Sequence, residues 1–156
     1  MSRRNISRKN FPNSDTVYDN FIVSLIIARI LKKGKKSLAE RIIKNVFQIL
    51  EEKTSLNAIE VFEKAVKNVT PTVEVKACRV GGSTYQIPVE VVGFRGTNLS
   101  LKWILRAAIN RSGKNFSIKL ANEIIDASKL TGNAIRKKEE THKMAEANKA
   151  FAHFRY

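Results

Sequence analysis

The chain has 156 residues, and its 29 lysines and arginines outnumber 14 acidic residues to give a formal net charge of +15. This length predicts one domain with its own hydrophobic core, and the charge predicts a polyanionic partner, with nucleic acid ahead of an anionic membrane surface. The longest apolar run, residues 21–28, is too short to span a bilayer, and the single cysteine excludes an internal disulfide.

The first fourteen residues are basic and polar, which predicts an arm that becomes ordered on a polyanion. A first helix is expected to follow, with Asp15 or Thr16 as its N-cap and its end near Lys32. Its inner side is expected to carry Val17, Phe21, Leu25 and Ala28. Four lysines at 32, 33, 35 and 36, grouped around a glycine, then interrupt the helix.

The next two helices are marked by their caps. Ser37 and Glu40 predict a capping box. In this motif the serine side chain accepts the backbone N–H of the glutamate, and the glutamate side chain accepts the backbone N–H of the serine. Asn57 is the expected cap of the third helix, and Pro71 ends that element. The inward residues of the two helices are expected to be Ala39, Ile42, Ile43, Val46, Ile49 and Leu50, and then Ile59, Phe62, Ala65 and Val66.

Residues 73–91 predict a β-hairpin, because polar and apolar side chains alternate on both sides of a small, glycine-rich turn at 81–84. Pro88 cannot donate to a ladder, so one side of its strand is an unpaired edge. A lone two-stranded ribbon is marginal in water, so this one must lie on a helical body or be held by a partner. The small tip, with Lys76 and Arg79 nearby, predicts an arm that enters a narrow space.

The rest of the chain predicts three more helices. Residues 93–96 are expected to form a loop, and Thr97 or Asn98 to cap a fourth helix that ends near Arg111. A fifth helix is expected at 116–129 and a mostly polar sixth at 134–148. The predicted fold class is therefore mainly α, a bundle of about six helices with one inserted two-stranded β-hairpin arm.

Three parts are expected along the chain: a basic arm at 1–14, a single helical domain at 15–148 and a tail at 149–156. The tail mixes basic and aromatic residues, and we expect neighbouring molecules rather than the bundle to order it.

No catalytic or cofactor site is predicted. Gly34–Ser37 lacks the earlier glycine of a phosphate-binding loop, and Lys36 stands where that motif needs a serine or threonine. His142 and His153 have no carboxylate or cysteine placed to complete a metal or general-base site, and hydrogen bonding or stacking is their expected role. The lysine cluster is either a solvated charge run or a phosphate contact, and the overall positive charge favours the contact.

Two other functions are alternatives to RNA binding. A DNA-binding regulator would share the helices and the charge, but no recognition helix with its turn can be picked out. An RNA-modifying enzyme would need a catalytic constellation that the sequence does not show.

Three segments of the chain resemble the ribosomal small-subunit protein seven family. They are the hairpin region 71–91, Gly34–Ser37 with the helix after it, and the ending 142–155, and together the likeness covers essentially the whole chain. The resemblance implies a non-enzymatic structural constituent of the small ribosomal subunit. Family membership would make it a primary ribosomal-RNA binder that nucleates assembly of the head domain and lies at the tRNA exit site near the mRNA path. Cys78 departs from the usual bacterial pattern, which has an arginine there.

The resemblance also leads us to expect two groups of contact residues. Ribosomal-RNA contacts are expected from Arg3, Arg4, Arg8, Lys9, Lys32, Lys33, Lys35, Lys36, Lys76, Arg79, Arg95, Arg111 and Lys114. Exit-site tRNA and mRNA are expected near Gly81, Gly82, Ser83, Thr84, Tyr85, Arg136, Lys137 and Lys143, close to small-subunit protein eleven.

The same resemblance favours a plastid ribosome. Residues 134–142 and the ending Phe-Ala-His-Phe-Arg are similar to plastid-encoded members, and the many isoleucines, lysines and asparagines fit an AT-rich genome. An N-terminus that begins Met-Ser-Arg-Arg without a transit peptide fits synthesis inside the organelle. The bacterial cytoplasm is the alternative location.

Overall fold

A computed structural model describes residues 12–15 and 17–154, so the predicted contacts Arg3, Arg4, Arg8 and Lys9 lie outside the described residues. In the described part the fold is mainly helical with one antiparallel two-stranded sheet, which confirms the predicted fold class. The elements are α1 (Phe21–Ile30), α2 (Lys36–Thr54), α3 (Ala58–Val69), β1 (Val73–Val80), β2 (Ser83–Glu90), α4 (Gly93–Asn110), α5 (Phe116–Ser128), α6 (Asn133–Ala147) and a C-terminal 3-10 helix (Lys149–Phe154). Over these same residues, no helix combines the length and apolarity needed to cross a membrane.

The chain falls into two compact units, one that ends at Arg41 and one that starts at Ile42, so their boundary lies within α2. In the first unit the predicted start of α1 is wrong. Asn20 caps α1, because its Oδ1 accepts the N–H of Ile22 at 2.8 Å. Asp15 instead closes an earlier turn by accepting the N–H of Val17 at 3.1 Å.

The predicted inner side of α1 is also largely wrong. Val17 lies before the helix and is 75% exposed, while Phe21 and Ala28 lie on its exposed side. The buried apolar residues are Val23, Leu25, Ile26 and Ile27. Because apolar residues occur nearly all round this helix, their spacing does not fix which side faces inward.

The capping box predicted for α2 is not the observed arrangement. The helix begins at Lys36, which places Ser37 inside the first turn. Glu40 forms an i,i+4 ion pair with Lys36 at 3.6 Å. The predicted cap of α3 is confirmed, because Asn57 Oδ1 accepts the N–H of Ile59 at 3.0 Å.

The core of the second unit lies among α2, α3, α4 and α5. The rings of Phe47 and Phe62 pack with their centroids 5.9 Å apart. Ile42, Ile49 and Ile59, which we expected inside, are only half-buried. The largest fully buried apolar side chains of this unit are Ile43, Val46, Phe47, Leu50, Phe62, Leu101, Ile104, Leu120 and Ile124.

Residues 93–96 are not the predicted loop but the first turn of α4. The backbone N–H groups of Arg95 and Gly96 donate to the carbonyl of Val92 at 2.8 and 3.1 Å. A Cβ at position 96 would lie 2.8 Å from Thr70 Cγ2, so this glycine allows a close approach between chain segments. The glycines at 93 and 96 therefore do not mark a loop here.

The hairpin has the predicted extent but a tighter turn. Val80 pairs with Ser83, so only Gly81 and Gly82 form the turn, and both have positive φ angles (+56° and +90°). Such two-residue turns match the right-handed twist of the strands. Residues 81–84 are exposed, whereas Ile87 nearer the base is 3% exposed. The tip therefore projects as an arm, and the base is a packed element.

The C-terminal 3-10 helix contacts β2, which differs from the expectation that only neighbouring molecules order the tail. The rings of Phe151 and Tyr85 lie 5.2 Å apart at an interplanar angle of 46°. Tilted aromatic pairs at this distance contribute about 0.5–1.5 kcal/mol beyond the area they bury. The tail thus supports the hairpin from within the chain.

A buried carboxylate joins α4, α5 and α6. Glu123 is fully buried, and its oxygens accept from Arg111 Nε at 2.5 Å and from the backbone N–H of Ala134 at 2.9 Å. Arg111 also forms an ion pair with Asp126. Burial tends to lower the pKa of Arg111, but its hydrogen bonds and Coulombic attraction to Asp126 and Glu123 outweigh this and raise that pKa above its ordinary value.

We predict that Arg111→Ala lowers the free energy of unfolding by about 3–5 kcal/mol, because it leaves a buried carboxylate without its cation. Urea denaturation measures the loss. The matched control is Arg106→Ala, which replaces an exposed arginine of α4 and should change stability by less than about 0.5 kcal/mol. Similar small losses for both variants would show that water solvates Glu123.

We predict that Phe151→Ala speeds amide hydrogen exchange along β2 about two- to tenfold, because it removes the ring that packs on Tyr85. Global stability should change little. Ile118→Ala, which truncates a partly exposed apolar residue on α5, is the control and should leave exchange in β2 unchanged. Unchanged exchange in Phe151→Ala would mean that the tail does not support the hairpin.

Candidate nucleic-acid interface

The first unit exposes a cationic turn between α1 and α2. Lys32, Lys33, Lys35 and Lys36 are all exposed there. Positive φ angles at Lys33 (+53°) and Gly34 (+74°) reverse the chain, and Lys36 N–H donates to the Gly34 carbonyl at 2.8 Å. The Lys36–Glu40 pair is exposed, and such pairs contribute little. The turn therefore presents exposed ammonium groups suited to phosphate oxygens.

The hairpin presents cations on both of its faces. Side chains alternate along a strand, so Lys76 and Arg79 lie on opposite faces of β1. Arg79 is opposite Thr84, beside the exposed tip, whereas Lys76 is opposite the buried Ile87. One expected contact thus belongs to the projecting part of the ribbon, and the other lies near its packed base.

Glu74 brings Lys76 and Arg95 together. Its Oε2 accepts from Arg95 Nε at 3.2 Å and from Arg95 Nη2 at 3.0 Å, while its Oε1 lies 3.3 Å from Lys76 Nζ. The side chain of Glu74 is 11% exposed, whereas those of Lys76 and Arg95 are 59% and 58% exposed. We call these three residues the hairpin-base cluster. Glu74 is not among the site residues expected from the sequence. The one sequence feature that could have indicated it is an acidic residue in a strand that also carries Lys76 and Arg79.

Some polar side chains of α6 are exposed to solvent, and others bond to neighbouring elements. Arg136, Lys137 and Lys143 are exposed, and Lys137 pairs with Glu140 at 2.9 Å. Lys138 Nζ donates to the Asn68 carbonyl at 2.7 Å. The same helix also exposes Glu139, Glu140 and Glu146, so its solvent side carries cations and acids in equal number.

His142 has the hydrogen-bonding role expected of it. Its Nε2 accepts the backbone N–H of Thr72 at 3.2 Å, and this bond ties α6 to the start of the hairpin. His153 lies in the C-terminal 3-10 helix, with its Nδ1 2.8 Å from the Ala150 carbonyl. Within residues 12–15 and 17–154, no three histidine, cysteine or acidic side chains are grouped to hold a metal ion.

The remaining expected contacts divide into exposed and internal residues. Arg79, Lys114 and the tip residues 81–84 are exposed, and Tyr85 is half-buried against Phe151. Arg111 is the exception among the expected RNA contacts, since its side chain is only 23% exposed and is held by two carboxylates. These carboxylates give Arg111 a structural role, and its expected RNA contact stays a prediction.

A basic helical fold with exposed cation clusters and a projecting ribbon is typical of a nucleic-acid-binding protein. The family model described as ribosomal protein S7p/S5e matches residues 2–149. The chain belongs to this family, which confirms the resemblance seen in the sequence. It is accordingly a structural constituent of the small ribosomal subunit and not an enzyme.

The relatives of this chain are similar over nearly its whole length. Small ribosomal subunit protein uS7c of Trieres chinensis is 59% identical over 144 residues, which cover 92% of this chain and 91% of the relative. Small ribosomal subunit protein uS7 of Nostoc punctiforme is 56% identical over 156 residues and covers both chains fully. The corresponding protein of Trichormus variabilis is 55% identical over the same length, again covering both chains fully.

Proposed function

We propose that this chain is a primary binder of the small-subunit ribosomal RNA that nucleates folding of the head domain and lies at the tRNA exit site near the mRNA path. The observation that carries the proposal is the exposed four-lysine turn at 32–36, in a chain of net charge +15 that belongs to a ribosomal family. Lysines on an exposed turn can each neutralise a phosphate without a fixed side-chain geometry.

The proposed ribosomal-RNA contacts come from several parts of the chain. Their shared property, where the structure describes them, is an exposed cationic side chain. They are Lys32, Lys33, Lys35, Lys36, Lys76, Arg79, Arg95 and Lys114, with Arg3, Arg4, Arg8 and Lys9 of the sequence before the described residues.

The hairpin tip and the exposed face of α6 are proposed to lie nearest to exit-site tRNA and mRNA. The tip residues Gly81–Thr84 are small and exposed, which suits a narrow space between RNA strands. On α6, Arg136, Lys137 and Lys143 are exposed cations that stand among exposed glutamates, so any contact there depends on individual side chains rather than on net charge. Small-subunit protein eleven is the proposed protein neighbour of this surface.

A plastid ribosome is the proposed location. The similarity to a uS7c protein supports it, and the nearly equal similarity to uS7 proteins of Nostoc and Trichormus keeps a bacterial ribosome as the alternative.

Hydroxyl-radical footprinting on small-subunit ribosomal RNA tests the proposal directly. We expect protection concentrated in the head domain, retained when duplex DNA is added at equal nucleotide concentration. Protection spread evenly over the RNA, or lost to duplex DNA, would contradict the proposal and favour the alternative of a DNA-binding regulator.

We predict that Lys35→Ala with Lys36→Ala makes the slope of log affinity against log salt less steep by about 1.4–1.8, since each lost phosphate contact accounts for about 0.7–0.9. Filter binding to a head-domain RNA transcript between about 50 and 200 mM salt measures it. Lys44→Ala with Lys129→Ala removes the same charge from other exposed positions and should leave the slope nearly unchanged. Equal slopes for both double variants would mean that the lysine turn is merely solvated.

We predict that removing the hairpin tip leaves the domain folded but impairs the ribosome. Residues 79–84 are deleted, and an Asn-Gly turn joins Cys78 to Tyr85, which preserves the strand register. The melting temperature should hardly change because the tip is exposed, while exit-site tRNA should dissociate faster from reconstituted subunits. The full-length control carries Asn-Gly in place of Gly81-Gly82. A truncated domain that melts early would show that the tip is a packed element.

A further inference from the structure

The hairpin-base cluster contains an acid in an unexpected place. Glu74 belongs to β1 of a chain with net charge +15, and its carboxylate is nearly buried where an RNA-facing ribbon meets the helices. A buried carboxylate is costly unless it is paired and hydrogen-bonded. Here both oxygens are engaged, one by Arg95 and the other by Lys76.

The geometry of the two cations shows what the acid does to them. Arg95 uses Nε and Nη2 toward Glu74, so the Nη1 edge of its guanidinium is turned away from the carboxylate. Lys76 has three donors on Nζ, of which one carboxylate oxygen can engage only part. Both side chains are more than half exposed, so their remaining donors face solvent.

We propose that Glu74 is a positioning residue that holds Lys76 and Arg95 together as a two-pronged contact for the phosphate backbone of ribosomal RNA. The inference rests on the proposed RNA-binding function. Two cations and one carboxylate leave the cluster with one net positive charge. The carboxylate does not touch the RNA but fixes two long side chains before the RNA arrives. Ordering such a side chain on binding otherwise costs about a two- to threefold loss of affinity for each, at the lower end of the ordering cost.

The proposal predicts that removing the charge of Glu74 weakens RNA binding, whereas the change in net charge alone would strengthen it. Glu74→Gln raises the formal charge by one, from +15 to +16, and long-range attraction to RNA alone would then strengthen binding. Loss of positioning instead weakens it, about five- to tenfold for the two side chains together.

The experiment measures affinity for an in vitro transcript of the head-domain ribosomal RNA at fixed salt. Glu90→Gln is the matched control, because Glu90 is exposed, lies at the same end of the hairpin and carries the same charge. We expect Glu74→Gln to bind about five- to tenfold more weakly than the unsubstituted chain, and Glu90→Gln to bind equally or more tightly. Equal or tighter binding by Glu74→Gln would overturn the inference.

A double-mutant cycle tests whether the effect passes through Arg95. Arg95→Ala should weaken binding in the unsubstituted chain and have a smaller effect in the Glu74→Gln background. Fully additive losses would mean that Glu74 acts elsewhere and would also overturn the inference.

Two further measurements separate positioning from misfolding. In the free protein the Nε–H of Arg95 should exchange slowly with water and should exchange faster in Glu74→Gln, while the backbone spectrum stays that of a folded domain. Glu74→Asp keeps the charge but shortens its reach, so it should also weaken RNA binding, whereas normal binding by a folded Glu74→Asp would count against positioning.

Failure of the proposed function gives a different result. In that case the unsubstituted chain itself does not bind the transcript. If the unsubstituted chain binds and Glu74→Gln binds as tightly, only the positioning role fails.

Discussion

The position of the hairpin depends on one buried carboxylate of α5, which holds the start of α6. Glu123 accepts the N–H of Ala134, and a Cβ at Gly132 would lie 3.1 Å from its Oε1. Because Gly132 also has a φ of +95°, any other residue would be strained where the chain enters α6. Once α6 is fixed, Lys138 and His142 bond to the Asn68 carbonyl and the Thr72 N–H. These bonds hold the segment through which α3 leads into β1, so the arm takes its direction from α6.

A few acidic residues stabilise the fold of this strongly basic chain by pairing with its cations. With 14 acidic residues against 29 cationic ones, each acid that is used inside the fold leaves more positive charge outside it. Glu123 and Asp126 bind Arg111 near the core, and Glu74 binds two cations at the hairpin base. These three acids are paired with cations within the fold, whereas most other acids and most lysines in the described part of the chain are exposed.

The order and type of the elements follow from the sequence because periodicity and local caps determine them. The amphipathic α3, with its Asn57 cap, and the alternating strands around Gly81-Gly82 were predicted nearly to the residue. The start of α1 was not, because Asp15 and Asn20 are both able to cap and the apolar run does not discriminate between them. The sequence predicts a loop at Gly96, which is wrong because the local sequence does not show the contact between positions 96 and 70 that requires a glycine.

The sequence predicts which cations belong to the candidate site, but it does not predict which acids pair with each of them. Arg95 and Arg111 look alike in the sequence, yet Arg111 is 23% exposed between two carboxylates and Arg95 is 58% exposed on one. Two acids neutralise the first guanidinium, whereas the second donates only its Nε and Nη2 groups to one acid. These acids lie 12 to 21 residues away along the chain. The number of acids that surround each arginine is therefore a property of tertiary structure, which the local sequence does not reveal.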